Sequence, residues 1–381
     1  MSDLQTVELG PIAHGGHCVA RIDGRVVFVR HGIPGEQARV RVTDDSKPRF
    51  WWGEVVQVIE PSPDRVTPPC PIAGRCGGCD FQHVSLARQR RLKAEVVEEQ
   101  LHRLAGIDRD VVVEQVPGDD EGLDWRTRMR YLVRDGKIGL RAWRSDDLVE
   151  LPEGGCRIAH PDGPVDLGNY ASGDGDLQVT IADGTCTVLG PDGQVLEGSE
   201  IVIQHVRGRK YQVRADGFWQ VHPGAAGVLT EAVLEGLKPR ATERALDLYC
   251  GVGLFAGALV DEGCRVTGIE ASRSAIELAK LNVPQAKFFA TRMEKAGSRL
   301  PKKTDLVVLD PPRTGAGAQV VKRLAQLDAR AIAYVACDPA ALARDLATFA
   351  KCGYRLDALQ AFDLFPMTHH VECVAILHAD A

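Results

Sequence analysis

Short apolar segments separated by glycine and proline fill residues 1 to about 60. Residues 26–29 form an apolar run after a turn, residues 38–43 alternate basic and apolar side chains, and residues 53–59 are rich in valine. Several short strands without a helix predict a small closed β-barrel of the OB type. The proline-rich stretch 61–71 predicts a linker after the barrel.

Farther along the chain, the pattern changes to helical spacing and then returns to short strands. Apolar residues recur at helical spacing through 85–106, where Ser85 is placed to cap the helix and Gly106 to end it. From residue 111 to about residue 213, short apolar segments and Asp-Gly turns alternate. This pattern predicts a β-rich central domain.

From residue 214 onward, apolar strand segments alternate with helical stretches. This alternation predicts a parallel sheet with helices on both faces, that is, a Rossmann-like α/β domain. We therefore expect three domains, over residues 1–62, 63–213 and 214–381. The predicted strands of the last domain are residues 245–250, 265–270, 286–290, 304–310, 331–337, 354–362 and 372–378.

Composition and charge narrow the class of protein. The chain has 381 residues and a formal net charge of −6, so bulk positive charge does not drive nucleic-acid binding, although a local basic face can. No apolar run approaches the roughly 20 residues that cross a bilayer, and the amino terminus lacks a signal-peptide pattern. We therefore expect a cytoplasmic monomer without a membrane partner. In a reducing compartment, 11 cysteines favour metal binding or catalysis over disulfides.

A glycine-rich turn indicates a nucleotide-type site. The sequence DLYCGVG at 247–253 ends a predicted strand, and Glu270 ends the next one, where an acid commonly binds ribose hydroxyls. The turn lacks the three-glycine fingerprint for pyrophosphate, which favours S-adenosylmethionine over a dinucleotide. The alternative is a tight turn followed by a solvated carboxylate. Parallel strands end at one ligand-binding edge, where four residues should meet: Tyr249, Glu270, Asp310 and Cys337.

Cys337 and Glu372 are the candidate catalytic residues. Cys337 lies just before a predicted helix that begins at Pro339, and a helix amino terminus makes a thiol more reactive. Glu372 begins the last predicted strand, directly after residues 368–371. The alternative interpretations are a buried structural cysteine and a surface carboxylate.

Three more cysteines lie close together in CPIAGRCGGC at 70–79. Cys70, Cys76 and Cys79 can surround one metal centre, and Cys156 is the best candidate for a fourth ligand. An iron–sulfur cluster, a zinc ion and unmetallated thiols are the alternatives. Ligand counting does not separate a cluster from zinc, although five residues between the first two cysteines is long for a zinc knuckle.

Basic residues concentrate in the central domain. In a strand, Arg126, Arg128 and Arg130 share one face, which suits contacts with RNA phosphates. The alternative is a solvated charged face. The neighbouring side chains suit base stacking and apolar contact: Trp125, Met129 and Tyr131.

Five segments resemble the RNA 5-methyluridine methyltransferase family in order and spacing. Together with them, the TRAM-like barrel and the cysteine cluster are similar to the ribosomal-RNA branch of that family. The resemblance implies a class I methyltransferase domain and RNA as the partner. The five segments are FWQV at 218–221, DLYCGVG at 247–253, DPPR at 310–313, YVACDP at 334–339 and FPMTHHVE at 365–372.

The resemblance also implies roles for individual residues. It implies that Cys337 is the nucleophile, that Glu372 is the general base and that the four cysteines named above hold a [4Fe–4S] cluster. This chain departs from the family in His222, where Asn is usual, and in Leu254, where Asn is frequent. The implied contacts with S-adenosylmethionine are Gln220, Tyr249, Glu270 and Asp310.

The chemistry of uracil explains the need for a thiol and a carboxylate. A thiolate that adds to C6 makes an enolate whose C5 attacks the methyl group, and a base then removes the C5 proton. The target must be single-stranded or flipped out, and we expect one uridine of 23S rRNA or of the tRNA T-loop. The alternatives are an amino-group methyltransferase of nucleic acids, which has no use for Cys337, and a non-catalytic RNA-binding iron–sulfur protein.

Overall fold

The computed structural model describes residues 4–380, and its first unit is a barrel. Its six strands have the order β1-β5-β6-β4-β3-β2. Alternate residues point inward, so Val27, Val29 and Val40 form a buried core. The strands are β1 (Gln5–Glu8), β2 (Ile12–Ala13), β3 (His17–Ile22), β4 (Arg25–Arg30), β5 (Gln37–Asp44) and β6 (Phe50–Glu60).

The stretch after the barrel is tied back to it rather than free. The Arg65 guanidinium donates two hydrogen bonds of 2.6 Å to the buried carboxylate of Glu36. Helix α1 (Leu86–Gln100) follows, and a wider turn (Leu101–Ala105) continues it to Gly106, whose φ of 66° ends the helix. Ser85 occupies the predicted N-cap position, but its hydroxyl donates to Asp64 instead of accepting from the helix. Strand β7 (Val113–Gln115) comes next.

The central domain is a second sheet, in the order β10-β9-β8-β11-β12-β13. All of its pairings are antiparallel. Its strands are β8 (Arg128–Arg134), β9 (Lys137–Arg141), β10 (Leu148–Glu150), β11 (Gly175–Ala182), β12 (Thr185–Leu189) and β13 (Val195–Glu197).

A separate hairpin, β14 (Ile201–Val206) and β15 (Arg209–Arg214), connects the central sheet to the carboxyl-terminal domain. Although sequence reasoning placed these residues in the central domain, Val202 and Tyr211 pack into the core of the following domain. The Tyr211 hydroxyl donates to the carbonyl of Leu254 at 3.2 Å. The hairpin is therefore part of the support of the α/β sheet.

The carboxyl-terminal domain is an eight-stranded sheet in the order β18-β17-β16-β19-β20-β22-β21-β7. Strand β22 runs antiparallel between β20 and β21, and the remaining strands are parallel to one another. Every strand predicted from residue 245 onward is present, whereas β7 was not foreseen. The elements are α2 (Ala225–Leu237), β16 (Arg244–Leu248), α3 (Leu254–Asp261), β17 (Arg265–Glu270), α4 (Arg273–Asn282), β18 (Lys287–Ala290), β19 (Leu306–Leu309), α5 (Ala318–Ala325), β20 (Ala331–Ala336), α6 (Pro339–Lys351), β21 (Tyr354–Asp363) and β22 (Glu372–Ala379).

Helices cover both faces of this sheet, as its continuous apolar strands require. Buried residues of α2 and α3 pack on one face, and buried residues of α1, α5 and α6 pack on the other. Among residues 4–380, no helix has the length and apolar character needed to span a membrane.

Candidate active site

Cys337 and Glu372 lie at the same edge of the sheet on neighbouring strands. Strands β20 and β22 are antiparallel, and their last pairing joins Ala336 to Cys373. Cys337 follows Ala336 and Glu372 precedes Cys373. Because the strands are antiparallel, this register places Cys337 and Glu372 opposite each other. Asp310 joins them, because it follows β19, the strand paired with β20 on its other side.

Burial controls the protonation of this group. It raises the pKa of Cys337 to about 11, Glu372 adds to the rise, and Arg313 opposes it. Burial also raises the pKa of Asp310 to about 7. The pKa of Glu372 is raised well above the usual value by burial and then by Asp310. In the unliganded site the thiol is therefore neutral and the two carboxyls compete for a proton.

The glycine turn after β16 is shaped by one acid. Glu270 accepts hydrogen bonds from the N–H of Gly251 at 3.3 Å and from the N–H of Ser272 at 2.8 Å. Tyr249, at φ 59°, and Gly253, at φ 92°, adopt the left-handed conformation that the sharp turn requires. The turn therefore leaves Tyr249 and Glu270 side by side at the predicted ligand edge.

Two other residues complete this side of the site. Gln220 is buried in the loop between β15 and α2. Asp247, which sequence reasoning did not assign, is fully buried, and its Oδ2 accepts from the N–H of Ala256 at 2.8 Å while its Oδ1 has no partner. In the sequence, the position of Asp247 at the start of the DLYCGVG segment could have indicated this role. Its carboxylate orients the amino-terminal turn of α3.

The DPPR loop is held by two residues that sequence reasoning missed. Asp345 of α6 accepts hydrogen bonds from the Tyr334 hydroxyl at 2.7 Å, from the N–H of Ala316 at 2.8 Å and from the N–H of Gly317 at 3.2 Å. Both acceptor and hydroxyl are buried. Since they fix the end of the loop, they also position Asp310 and Arg313 at its beginning.

A pocket of about 120 Å³ opens beside the Cys337 thiol, and the barrel forms one of its walls. In the turn between β2 and β3, His14 Nε2 lies 3.1 Å from Asp338 Oδ2. A Cβ atom on Gly16 would stand only 2.6 Å from the Cβ of His369, so only glycine permits this contact. Nothing in the barrel sequence indicates what the turn packs against, and this wall was therefore not foreseen.

The four cysteines of the candidate metal centre line a second cavity, of about 310 Å³. It lies between residues 70–79 and the central sheet, so Cys156 lines the same cavity as the three cysteines of that segment. In the part of the chain from residue 4 to residue 380, no three His, Cys, Asp or Glu side chains are placed to hold a single metal ion. The cavity is also lined by guanidinium groups, those of Arg126, Arg130, Arg141 and Arg144.

The three arginines predicted to bind RNA do share one face, but they have different surroundings. Arg126 lines the cysteine cavity, and Arg130 is exposed. Arg128 is engaged internally, because it donates to the carbonyls of Ala215 at 3.0 Å and Gly217 at 2.6 Å. The expectation that the neighbouring rings stack on bases is wrong: the opposite face is buried in the core and holds Trp125, Met129 and Tyr131.

The two departures from the family have structural explanations. His222 is buried, stacks on Trp125 at a ring separation of 5.9 Å and lies 3.2 Å from Asp119 through Nε2. Its Nδ1 accepts from the N–H of Gly224 at 3.1 Å, so the ring supports the chain just after Gln220. Leu254 is buried in the core as the first residue of α3.

A glycine turn, an acid one strand away and a DPPR loop at one edge of this sheet define the class of the protein: a Rossmann-like methyltransferase that carries a TRAM barrel. Residues 296–380 match the tRNA (Uracil-5-)-methyltransferase family, residues 3–56 match the TRAM domain, and residues 227–333 match the methyltransferase small domain.

Full-length relatives lead to the family. The chain is 45% identical to an uncharacterized RNA methyltransferase of Streptomyces avermitilis, over 100% of this chain and 99% of the relative. It is 29% identical to the 23S rRNA (uracil(1939)-C(5))-methyltransferase RlmD of Shewanella halifaxensis, over 99% and 96%. The chain belongs to the S-adenosylmethionine-dependent RNA uracil-C5 methyltransferases. The family, enzyme class and fold predicted from the sequence are thus confirmed.

A solved structure agrees with this fold. The crystal structure of Pyrococcus abyssi tRNA (uracil-54, C5)-methyltransferase in complex with S-adenosyl-L-homocysteine superposes with a TM-score of 0.73, covering 98% of this chain and 100% of that chain. The two sequences are 22% identical. The arrangement of barrel, central domain and methyltransferase domain is therefore shared.

Proposed function

We propose that this protein methylates C5 of one uridine in 23S rRNA through a covalent adduct between Cys337 and C6 of the base. The observation that carries the proposal is the position of Cys337 and Glu372, each one residue beyond the Ala336–Cys373 pair that ends the β20–β22 ladder. A thiol for addition and a carboxyl for proton removal are the two groups that the reaction requires. Cys337 lines the pocket, and Glu372 directly follows His369, His370 and Val371, which line it as well.

S-adenosylmethionine supplies the methyl group when it is bound. We assign its contacts to the glycine turn and the neighbouring strand ends. Glu270 already lies against the turn and can accept from ribose hydroxyls, as acids do at this position of Rossmann-like sheets. The Asp310 carboxyl acts electrostatically on both Cys337 and Glu372, and a sulfonium beside it would favour its ionised form. The assigned residues are Gln220, Tyr249, Glu270 and Asp310.

The proton transfers belong to residues of this chain. The neutral thiol of Cys337 must release its proton to solvent water before it adds to C6, so that Glu372 stays free for the C5 proton, and Arg313 favours the thiolate. Addition consumes the C5–C6 double bond and forms the enolate. After C5 has taken the methyl group, the ionised Glu372 accepts the C5 proton, the double bond reforms and the thiolate leaves.

For the cysteine cavity we propose a [4Fe–4S] cluster on Cys70, Cys76, Cys79 and Cys156. Four soft sulfur donors around one cavity suit iron–sulfur ligation, and nearby guanidinium groups offset the negative charge of the cluster. A zinc ion held by the same thiolates is the alternative.

The preference for ribosomal RNA rests on the relatives. The similarity to a 23S rRNA enzyme extends over almost all of both chains, whereas the tRNA enzyme is more distant in sequence. A deletion strain should lose 5-methyluridine at one position of 23S rRNA when cellular RNA is mapped by mass spectrometry. Loss from tRNA alone would contradict the ribosomal assignment, and the purified enzyme should restore the modification in vitro.

The covalent step is tested with RNA that contains 5-fluorouridine at the target. The wild type should trap itself as an adduct that survives a denaturing gel, because C5 then carries no removable proton. Cys337→Ala should form no adduct and no product. Glu372→Gln should accumulate a methylated adduct on unmodified RNA. An adduct in Cys337→Ala, or normal turnover by Glu372→Gln, would refute the assigned role.

A further inference from the structure

A line of aromatic rings lies on the outside of the barrel. Phe28 of β4 pairs with Trp52 of β6, and their ring centroids are 5.3 Å apart. Phe50 lies 5.5 Å from Phe28, and Trp143 of the central domain lies 6.0 Å from Trp52. Along β4 the core positions are valines, so these rings point outward, and all four are partly exposed. We call Phe28, Phe50, Trp52 and Trp143 the aromatic platform.

Arginines accompany these rings. The Arg144 guanidinium lies 4.0 Å from the centre of the Trp52 ring and 4.6 Å from that of the Trp143 ring. The Arg30 guanidinium lies 4.2 Å from the centre of the Trp143 ring. Arg144 is exposed, so a ligand that reaches the indoles meets its planar cation. Lys47 and Arg49, also exposed, precede Phe50 in the loop before β6. Asp44 is the opposing acid, across from Trp52.

The platform continues into the pocket of the nucleophile. His17 of β3 packs under Trp52 at 4.8 Å and against Trp143 at 5.7 Å. The residues just before His17 form the turn 14–16 that lines the Cys337 pocket. One strand, β3, thus connects the turn at the pocket to the residue that contacts both indoles.

The cysteine segment holds the two halves of the platform together. Cys76 forms a β-bridge with Ala142, and the N–H of Gly77 donates to the carbonyl of Arg141 at 2.9 Å. A Cβ on Gly77 would stand 3.0 Å from the Cα of Trp143. Residues 76–77 thus fix the turn that carries Trp143 and Arg144 against the barrel.

From this arrangement we infer that the aromatic platform binds the single-stranded RNA next to the target uridine. The inference rests on the proposed function, because it concerns the same RNA. Outward aromatic side chains on a small barrel stack on successive bases, and an arginine plane beside them both stacks and attracts phosphate. Bases that flank a flipped-out uridine are unstacked from it and available for such contacts.

The test measures binding of a short fluorescein-labelled single-stranded oligouridylate by fluorescence anisotropy. Trp52→Ala and Trp143→Ala should each weaken binding by roughly five- to hundredfold, the range for loss of one base–aromatic stack. Trp52→Phe, which keeps a ring, should bind within about threefold of the wild type. The affinity for S-adenosylmethionine, measured by calorimetry, should not change in any of these variants.

Two substitutions of Arg144 separate the contribution of its charge to RNA binding from that of its planar stacking. Arg144→Lys keeps the charge and loses the plane, so it should weaken binding but keep the salt dependence. Arg144→Ala should also reduce the log–log salt slope, by about 0.7 for one lost contact with single-stranded RNA. Arg103→Ala, exposed in the turn that continues α1, is the matched control and should bind as the wild type does. If Trp52→Ala does not fold, the Arg144 pair and Trp143→Ala decide the question.

The outcomes separate this inference from the proposed function. Wild-type oligouridylate affinity in both Trp variants would overturn the platform, even if the enzyme methylates rRNA. Lost affinity in those variants, together with no methylation of any RNA by the wild type, would support the platform and refute the proposed function. Unchanged RNA affinity with an altered sedimentation coefficient in the Trp variants would make the surface a protein interface and also overturn the inference.

Discussion

Arg313 is the cation that favours the reactive form of the nucleophile. The pKa of Cys337 lies at about 11 because of burial and Glu372, and Arg313 lowers it from a still higher value. Below that pKa the thiolate fraction rises tenfold with each pH unit. We therefore expect the rate of adduct formation with 5-fluorouridine RNA to rise from pH 6 to pH 9. The ionised fraction of Glu372, whose pKa is also raised, increases in the same direction.

Substitution of Arg313 tests this account. Arg313→Ala should displace the pH–rate profile to higher pH, while Arg313→Lys, which keeps the charge, should displace it less. Single-turnover measurements at saturating RNA separate this effect from weaker binding. A rate that is independent of pH in the wild type would show that the thiol is already ionised in the complex.

Single residues also show where sequence reasoning stops. Cys337 and Glu372 could be located because each stands in a recognisable segment at a predicted strand end. Arg128 was placed on the correct face, yet sequence could not reveal that carbonyls of residues 215 and 217 occupy its guanidinium. Contacts between segments distant in the chain decide whether a charge faces water.

Helix α1 supports the segment that leads to the general base. The ammonium of Lys93, fully buried, contacts the Asp363 carboxylate at 2.5 Å and the carbonyl of Phe365 at 3.0 Å. Gln89, one turn earlier, accepts from the N–H of Met367 at 2.9 Å. The chain between β21 and β22 is therefore fastened to a helix from the amino-terminal half of the protein.

Removal of one partner of this pair should be costly. Lys93→Ala leaves Asp363 buried without its cation, and we expect a loss of about 3–5 kcal/mol in the free energy of unfolding. Urea denaturation followed by circular dichroism measures it. Lys351→Ala, exposed at the end of α6, should change stability by less than about 0.5 kcal/mol. A similarly small effect of Lys93→Ala would show that the pair contributes little.

Asp345 offers a second test, on the DPPR loop. Asp345→Ala leaves the buried Tyr334 hydroxyl without its acceptor, which costs about 1–3 kcal/mol, and also removes the bonds from the N–H groups of Ala316 and Gly317. Because the loop carries Asp310 and Arg313, we expect kcat to fall more than RNA affinity does. Tyr334→Phe keeps both backbone bonds to Asp345, so it should have a smaller effect. Equal losses in all parameters would indicate general unfolding instead.

Regular elements were largely predictable because strand and helix periods are local. Strand β7 was missed, since three residues carry too little pattern and its partner β21 lies more than 200 positions away in the chain, as the pairing of Val113 with Ala361 shows. The contacts of hairpin β14–β15 with α3 and α4 could not be read from the sequence for the same reason, because these helices lie dozens of positions farther along the chain.

The cysteine centre connects three parts of the molecule. Asp80, next to Cys79, accepts from His369 Nδ1 at 2.6 Å and from the His369 backbone N–H at 3.2 Å, and residues 76–77 hold the turn of Trp143. Anaerobically purified protein should be brown and contain about four irons per chain. Cys70→Ser should lose iron and weaken RNA binding more than cofactor binding. Stoichiometric zinc without iron in elemental analysis would refute the cluster.

The position of β22 has a consequence for the synthesis of the protein. This strand follows β21 in the chain, but it lies inside the sheet, between β20 and β21. Until β22 leaves the ribosome, β20 and β21 each have an unpaired edge, and unpaired strand edges can pair with other chains. Glu372, the proposed general base, is made with the same strand. A nascent chain without β22 therefore lacks both an interior strand of its sheet and that carboxyl group, so we expect it to be inactive and to depend on chaperones until β22 has been made.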